Sequence, residues 1–305
     1  LTILHQLNQE VVNQDLTLFK PKDSYRTQGR SRSSLTQGTN LPNGVIVHFN
    51  IKDFDQSKDT IQLHFKGKDG SVIKTFSTAS DKDKLEIKVG GNQFVWNTRY
   101  KGAERLDGMI LWGASLSGAK AVPGDYTVSL QKNKTVTEQV FTILPDPRAE
   151  ASVADMQKQF DFVNTVNQTI DEAHQAIKNI RSINAKLDAF KKNYGGLEEA
   201  KAILETAAAL KKEFSEIEKT LYQTQNKSNQ DPLNFPIRLT NKLGHINNLV
   251  MSNDFPPTDQ DVVVSRLLTS QIKEQVERYN KLVKEDLESF NQTFAALKLD
   301  YLTLK

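Results

Sequence analysis

A chain of 305 residues with 37 % hydrophobic and 25 % charged side chains has the size of two ordinary domains and a folded, soluble composition. Its net charge of +3 is spread thinly: residues 1–148 hold 20 Lys and Arg against 15 Asp and Glu, and residues 149–305 hold 20 against 22. Neither half has the dense basic stripe of a nucleic-acid binder. The lack of cysteine excludes disulfide scaffolds, thiol nucleophiles and thiolate zinc sites, and no apolar run approaches the ~20 residues that cross a bilayer.

Residues 1–28 read as an extended segment leading from a domain upstream. The chain opens on Leu1, with neither Met nor a signal peptide, as expected of a processed or excised piece whose targeting segment lay on a missing end. Arg30 and Arg32, in a Ser/Thr/Gln/Gly-rich stretch, read as a solvated loop.

Residues 29–148 carry short alternating runs between turn residues. Val45–Phe49 and Thr60–Phe65 alternate at period two, and Asp69-Gly70 turns the second run into Ser71–Phe76 as a hairpin. Lys84–Val89 reads as a further strand, then Gln93–Trp96, with Trp96 in the core phase of Phe94. Pro123-Gly124 leads into Tyr126–Leu130, and Lys132-Asn-Lys134 turns the chain back as Val136–Ile143. About seven such strands predict an immunoglobulin-like antiparallel β-sandwich.

After Pro145-Asp-Pro147 the period becomes helical through residues 149–305. Ser152 and Asp155 predict a capping box. An apolar stripe from Val153 to Phe190 predicts a long helix ended by Gly195-Gly196, and Ile203–Leu221 a second. Pro236–Val250 reads as a shorter helix with Leu239, Leu243, Ile246 and Leu249 inward. Thr258 and Asp261 cap the last, with Val264, Leu267, Leu268, Ile272 and Tyr279 among its inward residues. Three long helices and one short one predict an antiparallel bundle, and the fold class is modular α+β.

No constellation carries recognisable chemistry. The five histidines, His5, His48, His64, His174 and His245, show no metal-ligand spacing; His48 and His64 fall on the solvent phase of their strands. Asp53, Asp55 and Asp59, with Asp81 and Asp83, read as solvated turns interleaved with lysines and not as a calcium loop. Phosphate-binding glycine loops and the nucleophile elbow are missing, so no catalytic residue, metal or cofactor is expected.

One segment stands out. Arg99–Leu116 separates the Trp96 strand from the Pro123-Gly124 turn and holds Tyr100, Met109, Ile110, Leu111 and Trp112. A loop this apolar either folds back over the β-sandwich, or offers a docking face through Tyr100, Met109 and Trp112, or stacks a sugar ring on Trp112 or Tyr100.

Several segments together resemble a known arrangement. Asn92–Tyr100, Gly108–Gly113 and Val122–Val128 stand in order, followed by Pro145-Asp-Pro-Arg148 and a long helix from near Ser152. The order and spacing resemble the C-terminal region of large bacterial exported proteins with sortilin-like BNR repeats, commonly labelled glycosyl hydrolases. The Trp…Pro-Gly-x-Tyr portion is similar to the immunoglobulin-like domain of the flagellar hook-capping protein. Asp15–Tyr25 looks like the passage out of a repeat region, and Gly244–Thr258 like the approach to a final helix.

The resemblance implies a bacterial exported protein whose upstream β-propeller holds any hydrolase activity. The Ser-x-Asp-x-Gly-x-x-Trp signature of the repeats does not occur here, so no catalytic residue carries over. The expected function is an accessory structural and interaction region whose partner is that propeller. Two alternatives stay open: a carbohydrate-binding module using Trp96, Tyr100 and Trp112, and a glycoside hydrolase in its own right. The oligomeric state is not legible.

Overall fold

The alternating half of the sequence folds as strands and the 3.6-period half as helices, giving a mixed α+β protein. A computed structural model describes residues 3–27, 36, 38 and 41–297. Arg30 and Arg32 lie outside the described residues. The chain divides into two units, residues 1–102 with 117–161 and 253–256, and residues 103–116 with 162–252 and 257–305.

Among its described residues the first unit holds eight strands: β1 (Leu16–Leu18), β2 (Ser24–Arg26), β3 (Val45–Ile51), β4 (Ile61–Lys66), β5 (Val72–Ser77), β6 (Gly90–Trp96), β7 (Gly124–Lys132) and β8 (Thr135–Pro145). One sheet runs β1-β3-β6 and the other β2-β8-β7-β4-β5. All pairs are antiparallel except β2 on β8. A short helix, α1 (Gln9–Asn13), precedes β1.

Turn chemistry sets the registers. Asp69 Oδ1 accepts from the Ser71 backbone N–H at 3.0 Å, Gly70 takes φ +79°, and β4 and β5 pair as the expected hairpin. Alternation buries one face of each sheet, and the buried residues of both sheets form one apolar cluster. Trp96 is wholly buried there, stacked on Phe65 from the other sheet at 4.4 Å between ring centroids. The Tyr126 hydroxyl donates to the Val122 carbonyl at 2.7 Å, closing the Pro-Gly turn as a tyrosine corner does.

Two expectations change here. Residues 1–28 are not merely a lead-in, since β1 pairs with β3 and β2 with β8, with Leu16, Leu18 and Phe19 buried. Lys84–Val89 does not form a strand, although Leu85 is buried. Its start bridges Ser77, but the Lys88 N–H and C=O are taken by the Asn92 side chain at 2.8 and 2.7 Å, which turns the backbone away from a ladder.

The helices are α2 (Val153–Tyr194), α3 (Lys201–Leu221), α4 (Leu239–Val250), α5 (Asp259–Lys281) and α6 (Glu288–Ala296), with a π-helical stretch at Leu282–Leu287 between the last two. The first nine residues of α2 belong to the first unit and the rest to the second. Both expected capping boxes form. The Asp155 N–H donates to Ser152 Oγ at 3.1 Å while the Ser152 N–H donates to Asp155 Oδ2 at 3.2 Å, and Thr258 and Asp261 repeat the exchange.

The core of the second unit runs from Val166 and Ile170 on α2 through Phe214 and Ile217 on α3 and Leu243 on α4 to Ile272 on α5. Val264 and Leu267, expected inward, are exposed, because α5 buries the phase of Ser265, Leu268 and Ile272 one residue further round. Leu249 and Val153 are exposed as well.

Candidate functional site

The segment after Gly102, residues 103–116, belongs to the helical unit, and Ala103, Leu106 and Met109 are buried in its core. This takes Met109 out of the expected docking face. Met109, 4 % exposed, is a packing residue. Tyr100 stays in the first unit, half-buried, with its ring edge-to-face on Phe160 at 4.7 Å. Trp112 keeps 42 % of its surface exposed. Trp96 is wholly buried and cannot stack a sugar, so the three-aromatic platform loses a member.

Polar side chains hold the loop by its backbone. Asn241 on α4 accepts the Trp112 N–H at 2.8 Å through Oδ1 and donates to the Trp112 carbonyl at 2.9 Å through Nδ2. One turn on, His245 Nδ1 lies 2.7 Å from the Gly113 carbonyl, which also accepts from Asn248 Nδ2 at 3.3 Å. The Ser115 N–H donates to the Gly244 carbonyl at 2.9 Å, and the Ile110 N–H to the hydroxyl of Tyr222, at the C-terminal end of α3, at 3.0 Å.

Two glycines permit this approach. Gly113 has φ +60°, and a Cβ there would stand 3.0 Å from His245 Nδ1. A Cβ on Gly244 would meet the Ala114 methyl at 3.2 Å.

At the other end of the loop three consecutive turns of α2 grip one residue. The Glu104 N–H donates to Asp171 Oδ1 at 2.5 Å, His174 Nδ1–H donates to the Glu104 carbonyl at 2.6 Å, and the Glu104 carboxylate pairs with Lys178 at 2.8 Å. Residues i, i+3 and i+7 lie along one helix face, which is why all three reach one residue of the loop. His174 is 1 % exposed, and burial holds its imidazole below the ordinary histidine range. A cleft of about 520 Å³ beside this grip is lined by Glu104, Asp171, Glu172, Asn179 and Tyr279 among others.

The first unit uses buried charge in a similar way. Arg26, 1 % exposed, donates from Nε to the Ala121 carbonyl at 3.1 Å, from Nη2 to Gln159 Oε1 at 2.9 Å, and from Nη1 to Asp254. Gln159 Nε2 donates onward to the Asn253 and Phe255 carbonyls at 2.7 and 3.1 Å. Nearby Lys120 donates to the Thr27 carbonyl, and burial, reinforced by Arg26, lowers its ammonium to about 8.

Four of the aspartates considered for calcium, Asp53, Asp55, Asp59 and Asp83, are engaged within the protein. Asp55 Oδ1 accepts from Ser57 N and Oγ, Lys132 pairs with Asp53 at 2.6 Å and Asp59 at 3.7 Å, and Lys74 pairs with Asp83 at 3.0 Å. Among the described residues no group of three or more His, Asp or Glu side chains is placed to hold a metal ion. No described helix is long and apolar enough to cross a membrane.

Sequence reasoning missed the fasteners Asp171, His174, Tyr222, Asn241, His245 and Asn248. Their one visible signal was the spacing Asn241, His245, Asn248 along a single helix face, which also fits a solvated stripe. Comparison with family models, curated proteins and solved structures found no match.

Proposed function

We propose that this chain is the non-catalytic C-terminal structural and interaction region of a larger bacterial exported protein of the sortilin-like BNR-repeat kind. In this reading the first unit is an immunoglobulin-like β-sandwich and the second an antiparallel helical bundle. They support an upstream β-propeller that carries any glycosidase chemistry. The two sheets with one shared core, the buried Trp96 and the Tyr126 corner support the first assignment. Helices α3, α4 and α5 packed on one another support the second.

The observation that carries the functional reading is how the buried polar groups are used. Arg26, Gln159, His174 and Asn241 all bond to main-chain carbonyls or N–H groups, which makes them fasteners of the scaffold. An antibody against this chain, used on fractionated source cells, tests the reading. A species far heavier than 34.4 kDa in the envelope or secreted fraction is expected. A cytoplasmic species of about that mass contradicts it.

The second reading, a carbohydrate-binding accessory module, is favoured by one feature: the exposed Trp112 ring sits on a backbone clasped by Asn241. A polysaccharide panel that perturbs wild-type fluorescence but leaves Trp112→Phe unchanged would support it. No response from the wild type would remove it.

A further inference from the structure

His174 is the buried titratable group whose two ring nitrogens are treated most differently. Its Nδ1 is engaged by the Glu104 carbonyl at 2.6 Å, an acceptor only, so the neutral ring carries its proton on Nδ1. Its Nε2 is buried and has no hydrogen-bond partner among the described residues. The neutral tautomer therefore fits the site, with a bare acceptor as its only defect. The protonated ring adds an N–H that nothing accepts and a buried charge, which burial opposes more than the Glu104 carbonyl and Asp171 favour it.

Charged and titratable groups lie on its own helix, on the loop and on the other helices of this unit. On its own helix are Asp171, which favours the cation, and Lys178 and Arg181, which oppose it. The loop supplies Glu104, already paired with Lys178. Helix α3 supplies Glu218, paired with Arg181 at 2.7 Å, and its C-terminal end Tyr222, bonded to the loop at Ile110. Helix α4 supplies His245 at Gly113, and α5 supplies Tyr279, whose hydroxyl accepts from Asn179 at 3.0 Å.

We propose that His174 and the Glu104 peptide form an acid-sensitive latch, closed while the imidazole is neutral and opened when Nε2 is protonated. Opening frees the start of the loop, residues 103–106, from α2. The sign follows from linkage: an imidazole that resists protonation when folded supports the closed state above the ordinary histidine range near 6.5, and that support is lost as pH falls through it.

Backbone amide exchange of the whole chain at pH 7.5 and pH 5, corrected for intrinsic rates, tests the latch. The Glu104 amide of the wild type is expected to lose about tenfold protection or more at pH 5. His174→Gln, which keeps a donor for the Glu104 carbonyl but does not titrate, is expected to show equal protection at both pH values. Glu104→Gln, which keeps the backbone bonds, is expected to respond like the wild type. Unchanged wild-type protection, a matching fall in His174→Gln, or loss of the response in Glu104→Gln each overturns the proposal. Should His174→Gln fail to fold, imidazole nitrogen shifts of the wild type decide: protonation of Nε2 with the Glu104 amide still protected contradicts the latch.

Discussion

The side-chain amide of Asn241 meets both polar atoms of the Trp112 main chain, accepting its N–H at 2.8 Å and donating to its carbonyl at 2.9 Å. A carboxamide offers an acceptor and a donor side by side, so it can pair with a backbone as a neighbouring strand would. Asn241 is 5 % exposed, so its amide is held away from water at this clasp. Asn241→Ala is expected to destabilise the protein by about 2–3 kcal/mol, read by urea denaturation, because two backbone groups lose partners together. Asn241→Asp keeps only the acceptor and falls between. An Ala variant as stable as wild type would mean that the clasp is incidental.

Gly113 tests the close approach of loop and helix. With φ +60° and a Cβ position only 3.0 Å from His245 Nδ1, Gly113→Ala meets both backbone strain and a tight contact. A loss of about 1–2 kcal/mol is expected. Adding His245→Ala removes the contact but not the strain, so the double variant remains less stable than His245→Ala alone. Equal stability of those two proteins would contradict the left-handed backbone at this position.

The two tryptophans report on different environments. Trp96 is wholly buried in the shared core of the sheets, and Trp112 is 42 % exposed. Trp112→Phe is expected to shift the emission maximum to the blue by removing the wetter indole and to change stability little. Trp96→Ala leaves a cavity against Phe65 and is expected to cost about 3–5 kcal/mol. Equal emission spectra from Trp112→Phe and Trp96→Phe would contradict the placement.

Lys120 gives the first unit an alkaline signature. Burial, aided by Arg26, lowers its ammonium to about 8, whereas the unfolded chain holds its proton to about 10.5. Between these values the unfolded state binds more protons, so stability rises with pH there, and the cost of the buried charge is fully present below 8. Relative to Lys120→Met, the wild type is expected to gain about 1–2 kcal/mol from pH 8 to 10.5, allowing for partial hydration. Parallel stability profiles for the two proteins would contradict this.

What is legible in the sequence is local. The Asp69-Gly70 hairpin, the Ser152 and Thr258 boxes and the burial of Trp96 follow from turn chemistry, caps and alternation over a few residues. Lys84–Val89 misleads because alternation records burial of Leu85 but not whether a partner strand lies alongside. Val264 and Leu267 mislead because a helix with apolar residues at adjacent positions does not declare which phase is buried. The loop's partners stay open in the sequence because its apolar residues are visible there and the residues they pack on are not. His174 lies 70 residues from Glu104 and Asn241 lies 129 from Trp112, and ordinary polar residues on helices carry no mark of such pairings.

The central claim is that residues 103–116 are an integral, fastened part of the helical unit and not an uncovered docking loop. Amide hydrogen exchange at pH 7.5 tests it most directly, at the N–H groups of Glu104, Ile110, Trp112 and Ser115, each given an acceptor by that unit. Protection comparable to the core amides of α3 and α4 is the predicted result. Exchange at the rate of an unstructured peptide would contradict the account and restore the loop as a free surface.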